Sequence, residues 1–305
     1  MDDEREAERA IREAVELGVR LFDTADVYGV GGNERLVGRV LRDLRDDVMI
    51  ATKFGNLVDE NGAIAGVDGR PEYVRAACDA SLRRLGVETI DLYQQHRTDP
   101  DVPIEETIGT VAEVVREGKV RHIGLSEARP EDIRRAAAVT TIATLQSEYS
   151  LFERSPELDV LPLCAELGIA FVAYAPLDRG IIAGGLRPDT TLAEGDARRN
   201  LYPRLIGEHL EENARTAKRV RRSAERLMRR RLSLRSPGCS TARSAWSRFS
   251  GRVRSRAGAR TRAAYGCRCP MMSLPNSSPS SGRAPRPPAR ASVRNTYPST
   301  SPWSA

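Results

Sequence analysis

Beyond Glu225 the 305-residue chain contains no aspartate, glutamate or lysine. That absence splits the molecule. Residues 1–225 hold 31 basic and 42 acidic groups, a net of −11, while Arg226–Ala305 holds 17 arginines. The overall charge of +6 therefore describes neither part. No apolar run approaches the length of a membrane span, and Met1-Asp2-Asp3-Glu4 lacks the basic and apolar regions of a signal peptide. Of five cysteines, Cys239, Cys267 and Cys269 lie in the basic tail, whereas Cys78 and Cys164 sit among apolar neighbours. No disulfide framework is readable, which suits a reducing compartment. The expectation is a soluble, cytoplasmic protein with no membrane partner. No Gly-x-Gly-x-x-Gly follows a first strand, so a Rossmann site is not indicated. Gly29-Val30-Gly31-Gly32-Asn33 reads as a loop, not a phosphate cradle, and no metal is called for.

What is present is a strict alternation of helices and strands. Glu4–Leu17 places Ala7, Ala10, Ile11, Ala14 and Val15 at helical spacing. Strands are predicted over Val19–Thr24, Val48–Lys53, Ile90–His96, Val120–Ser126, Ala143–Tyr149 and Ile169–Ala175. Helices are predicted over Asn33–Leu44, Pro71–Leu85, Ile104–Gly118, Pro130–Val139, Glu157–Leu167 and Glu211–Leu227, with Pro71 at a helix start where its missing N–H costs nothing. Such alternation predicts an α/β fold with a parallel sheet. About six strands are recognisable and eight close a (β/α)8 TIM barrel. The reading is an incomplete barrel over 1–227 and a disordered, low-complexity Arg/Ser/Pro-rich tail over 228–305. One strand is expected to be missing before Met1 and one after the last helix, leaving two exposed sheet edges and a poorly stable molecule.

Four polar residues sit at or just past the C-terminal ends of predicted strands: Asp23, Tyr28, Lys53 and His96. In a parallel barrel those ends converge on one face, where catalytic groups collect. Singly, each has an ordinary reading: a turn-shaping Asp, a packing Tyr, an edge Lys, a core His. Together, within Asp23-Thr24-Ala25-Asp26-Val27-Tyr28-Gly29, Thr52-Lys53 and Gln95-His96, they resemble the aldo-keto reductases, over about Arg5 to Leu227. The resemblance implies NADPH-dependent reduction of a small aldehyde or ketone to an alcohol. Tyr28 would be the general acid. A phenol titrates at about 10, and a nearby ammonium favours its phenolate. Lys53 would be that ammonium, held by Asp23, and His96 would donate a hydrogen bond to the carbonyl oxygen.

The same resemblance implies cofactor contacts. Ser126 and Glu127, after Gly124-Leu125, match a nicotinamide-binding segment. Gln146 would take the other edge of the carboxamide, and Tyr174 would stack on the ring. Pro176-Leu177-Asp178-Arg179-Gly180 resembles a pyrophosphate loop in which Pro176, Leu177 and Gly180 match. Asp178 stands where glycine is usual, adding a carboxylate where backbone should approach phosphate closely. The Asn56–Gly69 loop reads as a flexible lid.

The tail is disfavoured as a nucleic-acid arm because it lacks lysine. Its composition suits GC-rich DNA read out of frame. Codons for residues 229–240 can be chosen so that the neighbouring frame spells Ala-Thr-Pro-Ala-Gln-Leu-Ala-Leu-Ala-Trp-Leu-Leu, similar to a helix of the family. Residues 246–253 can likewise spell Val-Pro-Val-x-Gly-Thr, similar to its Pro-Gly-Thr phosphate loop. As written, the tail orders no bidentate site for the adenosine phosphate, so weak or absent NADPH binding is expected. A catalytically inactive truncated remnant and a non-catalytic regulatory family member are the alternatives.

Overall fold

The computed structural model describes residues 2–233 apart from 61, 184, 188, 193–197 and 199–201. Six strands form one parallel sheet: β1 (Leu21–Asp23), β2 (Met49–Phe54), β5 (Ile90–Gln95), β6 (Val120–Ser126), β7 (Ile142–Glu148) and β8 (Ala170–Tyr174). They lie in the order β1-β2-β5-β6-β7-β8. The sheet curls as a half-barrel, an incomplete (β/α)8 fold. The expected strands are thus all present. One element was not expected: Asn56–Gly69 is not a plain loop but carries an antiparallel hairpin of β3 (Asn56–Val58) and β4 (Ile64–Val67).

Helices α1 (Asp2–Glu16), α2 (Gly32–Leu41), α3 (Pro71–Leu85), α4 (Ile104–Arg116), α5 (Pro130–Val139), α6 (Val160–Leu167) and α7 (Gly207–Ser233) separate or follow the strands. Local chemistry sets their ends. Pro71 and Pro130 open α3 and α5, where the first N–H has no partner in the helix. The Asp159 carboxylate accepts from Val160 N–H at the start of α6. Gly86 and Gly168, at φ 66° and 70°, close α3 and α6. Two expected helices give up residues to 3-10 turns: those after Leu41 tighten into Arg42–Asp47, and Ser155–Glu157 is a 3-10 turn before α6. The last helix is longer than expected at both ends. Residues 234–305, with most of the expected tail and of its out-of-frame segments, lie outside the described residues.

The main core fills the space between the outer face of the sheet and the helices. Val37, Leu41, Ile50, Phe54, Val74, Leu85, Tyr93, Ile108, Val111, Ile123, Ile133 and Leu145 are all buried there. Cys78 and Cys164 belong to the same core and form no disulfide. Burial pushes the Cys78 thiol up to about 12, so it packs as a small hydrophobe. A second cluster, Ile181, Leu186, Leu192, Leu205, Leu210 and Ala217, seats α7 on the connection that follows β8.

At the N-terminal end of the strands, wholly buried Asp91 accepts from Ile50 N–H and pairs with Arg45 and Arg121 at 2.7 and 2.8 Å. A charge cluster at that end of a barrel serves stability, leaving the opposite end for chemistry. Among the described residues, no helix is long and apolar enough to cross a membrane.

Helices α2 and α3 approach closely at Gly38, where an added Cβ would come within 2.0 Å of the Leu85 carbonyl oxygen. Backbone cannot yield as a side-chain tip can. Gly38→Ala should therefore destabilise the fold by about 1–3 kcal/mol, read as a lowered urea midpoint. An unchanged midpoint would mean that α2 and α3 are free to separate.

Candidate functional site

Side chains alternate between the two faces of a strand, and the register brings one polar layer together inside the curl. Lys53 pairs with Gln94, Gln94 with Gly124, Gly124 with Thr144, Ser126 with Gln146, and Gln146 with Val172. Asp23 ends β1 beside it. Gly124 is needed in this layer: a Cβ there would meet Thr144 Oγ1 at 2.5 Å and Gln94 Cγ at 2.8 Å.

Lys53 is fully buried. Its ammonium is ion-paired to Asp23 Oδ2 and donates to the Thr24 carbonyl at 2.9 Å. Gln94 Nε2 donates to the other Asp23 oxygen at 2.9 Å, so both carboxylate oxygens are used. Gln94 was absent from the sequence reading, although it precedes His96 by two positions and so shares its strand face. The chain then turns out of β1 and places Tyr28, 41% exposed, over this pair. Lys53 Nζ lies 5.1 Å from the centre of the Tyr28 ring. The His96 ring, one residue past β5, stands edge-on to Tyr28 with centroids 5.9 Å apart. Asp23, Tyr28, Lys53 and His96 therefore meet at one mouth.

Burial, assisted by the charges of Lys53 and Arg97, pulls the His96 imidazole down to about 3. It is neutral at physiological pH, and its buried Nδ1 has no hydrogen-bond partner among the described residues. A neutral imidazole carries one N–H donor and one acceptor. The mouth can thus offer a phenol hydroxyl and an imidazole N–H to one oxygen, beside a buried ammonium.

Ser126 and Gln146 adjoin on the same layer, and Tyr174 follows two residues after Val172, the partner of Gln146. The Ser126 hydroxyl accepts from Arg97 at 3.3 Å. No hydrogen bond of the Gln146 carboxamide is present among the described residues, so its donor and acceptor are open to a ligand. Glu127, at φ 52°, turns inward: its carboxylate accepts from Glu148 N–H at 2.8 Å and lies near the Tyr174 phenol. Burial and that carboxylate raise the Tyr174 phenol above its ordinary range. Pro176 and Leu177 are exposed on the rim, whereas Gly180 faces Leu186 and Arg198 within its own loop. The Asp178 side chain does not project from that loop. It is fully buried and pairs with Arg204 at 3.0 Å.

Behind the mouth lies a second charged group that sequence reasoning missed. Wholly buried Glu34 accepts from Thr52 Oγ1 at 2.6 Å and pairs with Arg84 at 2.5 Å. Asp26 lies nearby, with Oδ1 buried and without a partner among the described residues. Burial, reinforced by the Glu34 charge, raises Asp26 to about 7, against weaker opposing effects of Val27 N–H, Arg84 and Tyr73. Both carboxylates were visible in the sequence, but their nearness depends on α2 folding back over the loop.

The model of the aldo/keto reductase family matches residues 2–232. A probable aldo-keto reductase 1 from Glycine max is 44% identical over 218 residues, covering 71% of this chain and 62% of that protein. The chain thus spans less than two thirds of that relative's length. A glycerol dehydrogenase from Gluconobacter oxydans superposes with a TM-score of 0.67 at 35% identity, over 72% of this chain and 68% of that one. The holo form of an aldo-keto reductase from Bacillus halodurans superposes with a TM-score of 0.56 at 37% identity, over 63% of each chain. An aldo/keto reductase from Klebsiella pneumoniae, in complex with NADP and acetate, gives 0.51 at 32% identity, over 59% of this chain and 60% of that one.

The state of Asp26 is testable through stability. Between its ordinary 3.8 and about 7, the unfolded chain releases the proton while the folded chain keeps it. Wild-type stability from this group is present below 3.8 and lost as pH rises through 7. Asp26→Asn cannot titrate, so its stability relative to wild type should climb by a few kcal/mol across that window. Urea melts at a series of pH values read the difference. His96 acts in the opposite sense, losing stability as pH falls from 6.5 towards 3, but it is common to both proteins and cancels. A pH-independent difference would show Asp26 charged in the fold.

Proposed function

The chain belongs to the aldo/keto reductase family, and from that premise we propose that it reduces an aldehyde or ketone to an alcohol, with NADPH as reductant and Tyr28 as proton donor. One observation carries the reading: the Tyr28 ring lies 5.1 Å from the buried Lys53 ammonium and edge-on to the His96 ring, at the open end of a parallel sheet.

The residues divide the work by their chemistry. His96, neutral at working pH, donates its N–H to the carbonyl oxygen and orients it. As the carbonyl carbon gains a hydride, negative charge grows on that oxygen, and the Tyr28 O–H bond breaks to protonate it. Lys53 sits where its charge stabilises the phenolate left behind. Asp23 holds Lys53 in register, and Gln94 holds Asp23. Tyr28 is exposed enough to recover its proton from solvent.

The hydride is what a reduced nicotinamide supplies when bound, and two aldo/keto reductase structures from Klebsiella pneumoniae contain NADP or NADPH. The open Gln146 carboxamide beside Ser126 suits a nicotinamide amide, which offers both a donor and an acceptor. We assign Ser126, Gln146 and Tyr174 to that amide and ring, with Glu127 beside the Tyr174 phenol. Pro176, Leu177 and Gly180 would line the path of the diphosphate. The expected grip on the adenosine phosphate falls outside the described residues.

The test is consumption of NADPH by the full chain over a panel of aldehydes and ketones. Tyr28→Phe should lower the rate by about 10²–10⁴-fold while leaving the NADPH fluorescence titration unchanged. No consumption with any carbonyl, or an undiminished rate in Tyr28→Phe, overturns the reading. A second outcome follows from His96. Its charging lies near 3, so kcat/KM should show no imidazole ionisation at the ordinary value of about 6.5, and an ionisation there that vanishes in His96→Gln would contradict the assigned donor.

A further inference from the structure

We propose that a cleft between α2 and α3, outside the carbonyl mouth, binds a small multiply charged oxyanion: a phosphate ester or diphosphate. The cleft has a volume of about 410 Å³ and is lined by Arg35, Ala80, Arg83 and Arg84. Three of its four lining residues are guanidinium groups and none is acidic. This occurs in a part of the chain whose net charge is −11.

Two of the three arginines have no carboxylate partner among the described residues. Among the described residues, the exposed side chains of Arg35 and Arg83 form no ion pair, whereas Arg39 and Arg75 on the same two helices do. Arg84 has one carboxylate partner, Glu34, and that carboxylate is wholly buried behind it. Arg84 is also fixed in place. Its Nη2 donates to Ser81 Oγ at 3.0 Å, and its stem lies so close to Gly31 that a Cβ there would meet Arg84 Cδ at 2.5 Å. A glycine at 31 is what lets the arginine lie across the loop that begins at Tyr28.

This combination favours phosphate over a simple carboxylate. A guanidinium presents parallel N–H donors that match two oxygens of one anion. One carboxylate engages one such fork, whereas a diphosphate or phosphate ester offers oxygens to several. The volume is within the range of small-molecule sites, and the charge that lines it is cationic throughout. A preorganised Arg84 flanked by two movable arginines leaves little entropy to be lost on binding at the central contact.

Isothermal titration of the full chain with inorganic pyrophosphate tests this directly. The comparison protein is Arg35→Ala/Arg83→Ala, because both side chains are exposed and unpaired and their loss should leave the melting curve intact. Arg84 is kept, since removing it would strand the buried Glu34 charge. Saturable binding that weakens at least tenfold in the double variant, and weakens with added salt, is the expected result. Acetate should bind more weakly than pyrophosphate. Pyrophosphate held by the tail arginines or at the carbonyl mouth is common to both proteins, so equal affinity in the two overturns the proposal. Absence of saturable binding does so as well. Neither measurement involves carbonyl reduction, so this site and the proposed activity stand or fall separately.

Discussion

The ion pair between Lys53 and Asp23 is the constraint around which the mouth is arranged. An ammonium with no solvent access is strongly disfavoured unless paired and hydrogen-bonded. Lys53 meets that demand with one carboxylate oxygen and the Thr24 carbonyl. The partners come from the end of β1 and the residue after it. A one-residue slip in the β1–β2 register would carry Lys53 to the other face and leave both charges unmatched. The parallel pairing Asp23↔Ala51 is therefore held by electrostatics as well as by its ladder. This matters because β1 is only three residues long.

Once Lys53 is fixed, the rest of the layer follows from strand geometry. Gln94 lies opposite Lys53 in register and completes the Asp23 carboxylate. It occupies space that Gly124 leaves free. Thr144, Ser126 and Gln146 extend the polar line toward Tyr174. Several of these groups are left without partners: Gln94 Oε1, Thr144 Oγ1 and His96 Nδ1 are buried and unmatched among the described residues. Buried unpartnered polar atoms each cost on the order of 1–3 kcal/mol. A polar interior of this kind is poorly suited to stability and well suited to holding a polar ligand.

The strands were legible because each is a short apolar run closed by a polar residue, and buried parallel strands read that way. Their polar ends were legible for the same reason: Asp23, Lys53 and His96 each interrupt an otherwise apolar or buried pattern. The hairpin Asn56–Val67 was not legible. Its strands are short, its glycines at 62 and 66 read as loop, and only the pairing itself orders it. Contacts between distant segments were also hidden. Nothing local marks Glu34 as the partner of Arg84, fifty positions away, or Glu148 as the partner of Arg204. The end of α7 was misplaced because Arg229–Arg231 are good helix formers that composition had assigned to the tail.

The loop after β8 shows why a departure from pattern is not by itself a defect. Glycine at position 178 would supply a left-handed backbone, and Asp178 adopts one regardless, at φ 48°. Aspartate is among the few side chains that tolerate this region. Its carboxylate is then turned inward, where Arg204 takes it and also pairs with Glu148, while Glu148 reaches Arg179. Arg179 in turn lies 3.6 Å from the centre of the Tyr202 ring. Burial raises the Asp178 carboxyl while Arg204 opposes that rise. The feared carboxylate beside a diphosphate is thus withdrawn from the rim and spent on an internal lattice of two acids and two arginines. That lattice ties the connection after β8 to the end of β7, next to Gln146. Removing the charge of Asp178 would deprive Arg204 of one of its carboxylate partners, so the substitution that looks like a return to pattern would loosen the wall of the mouth it borders.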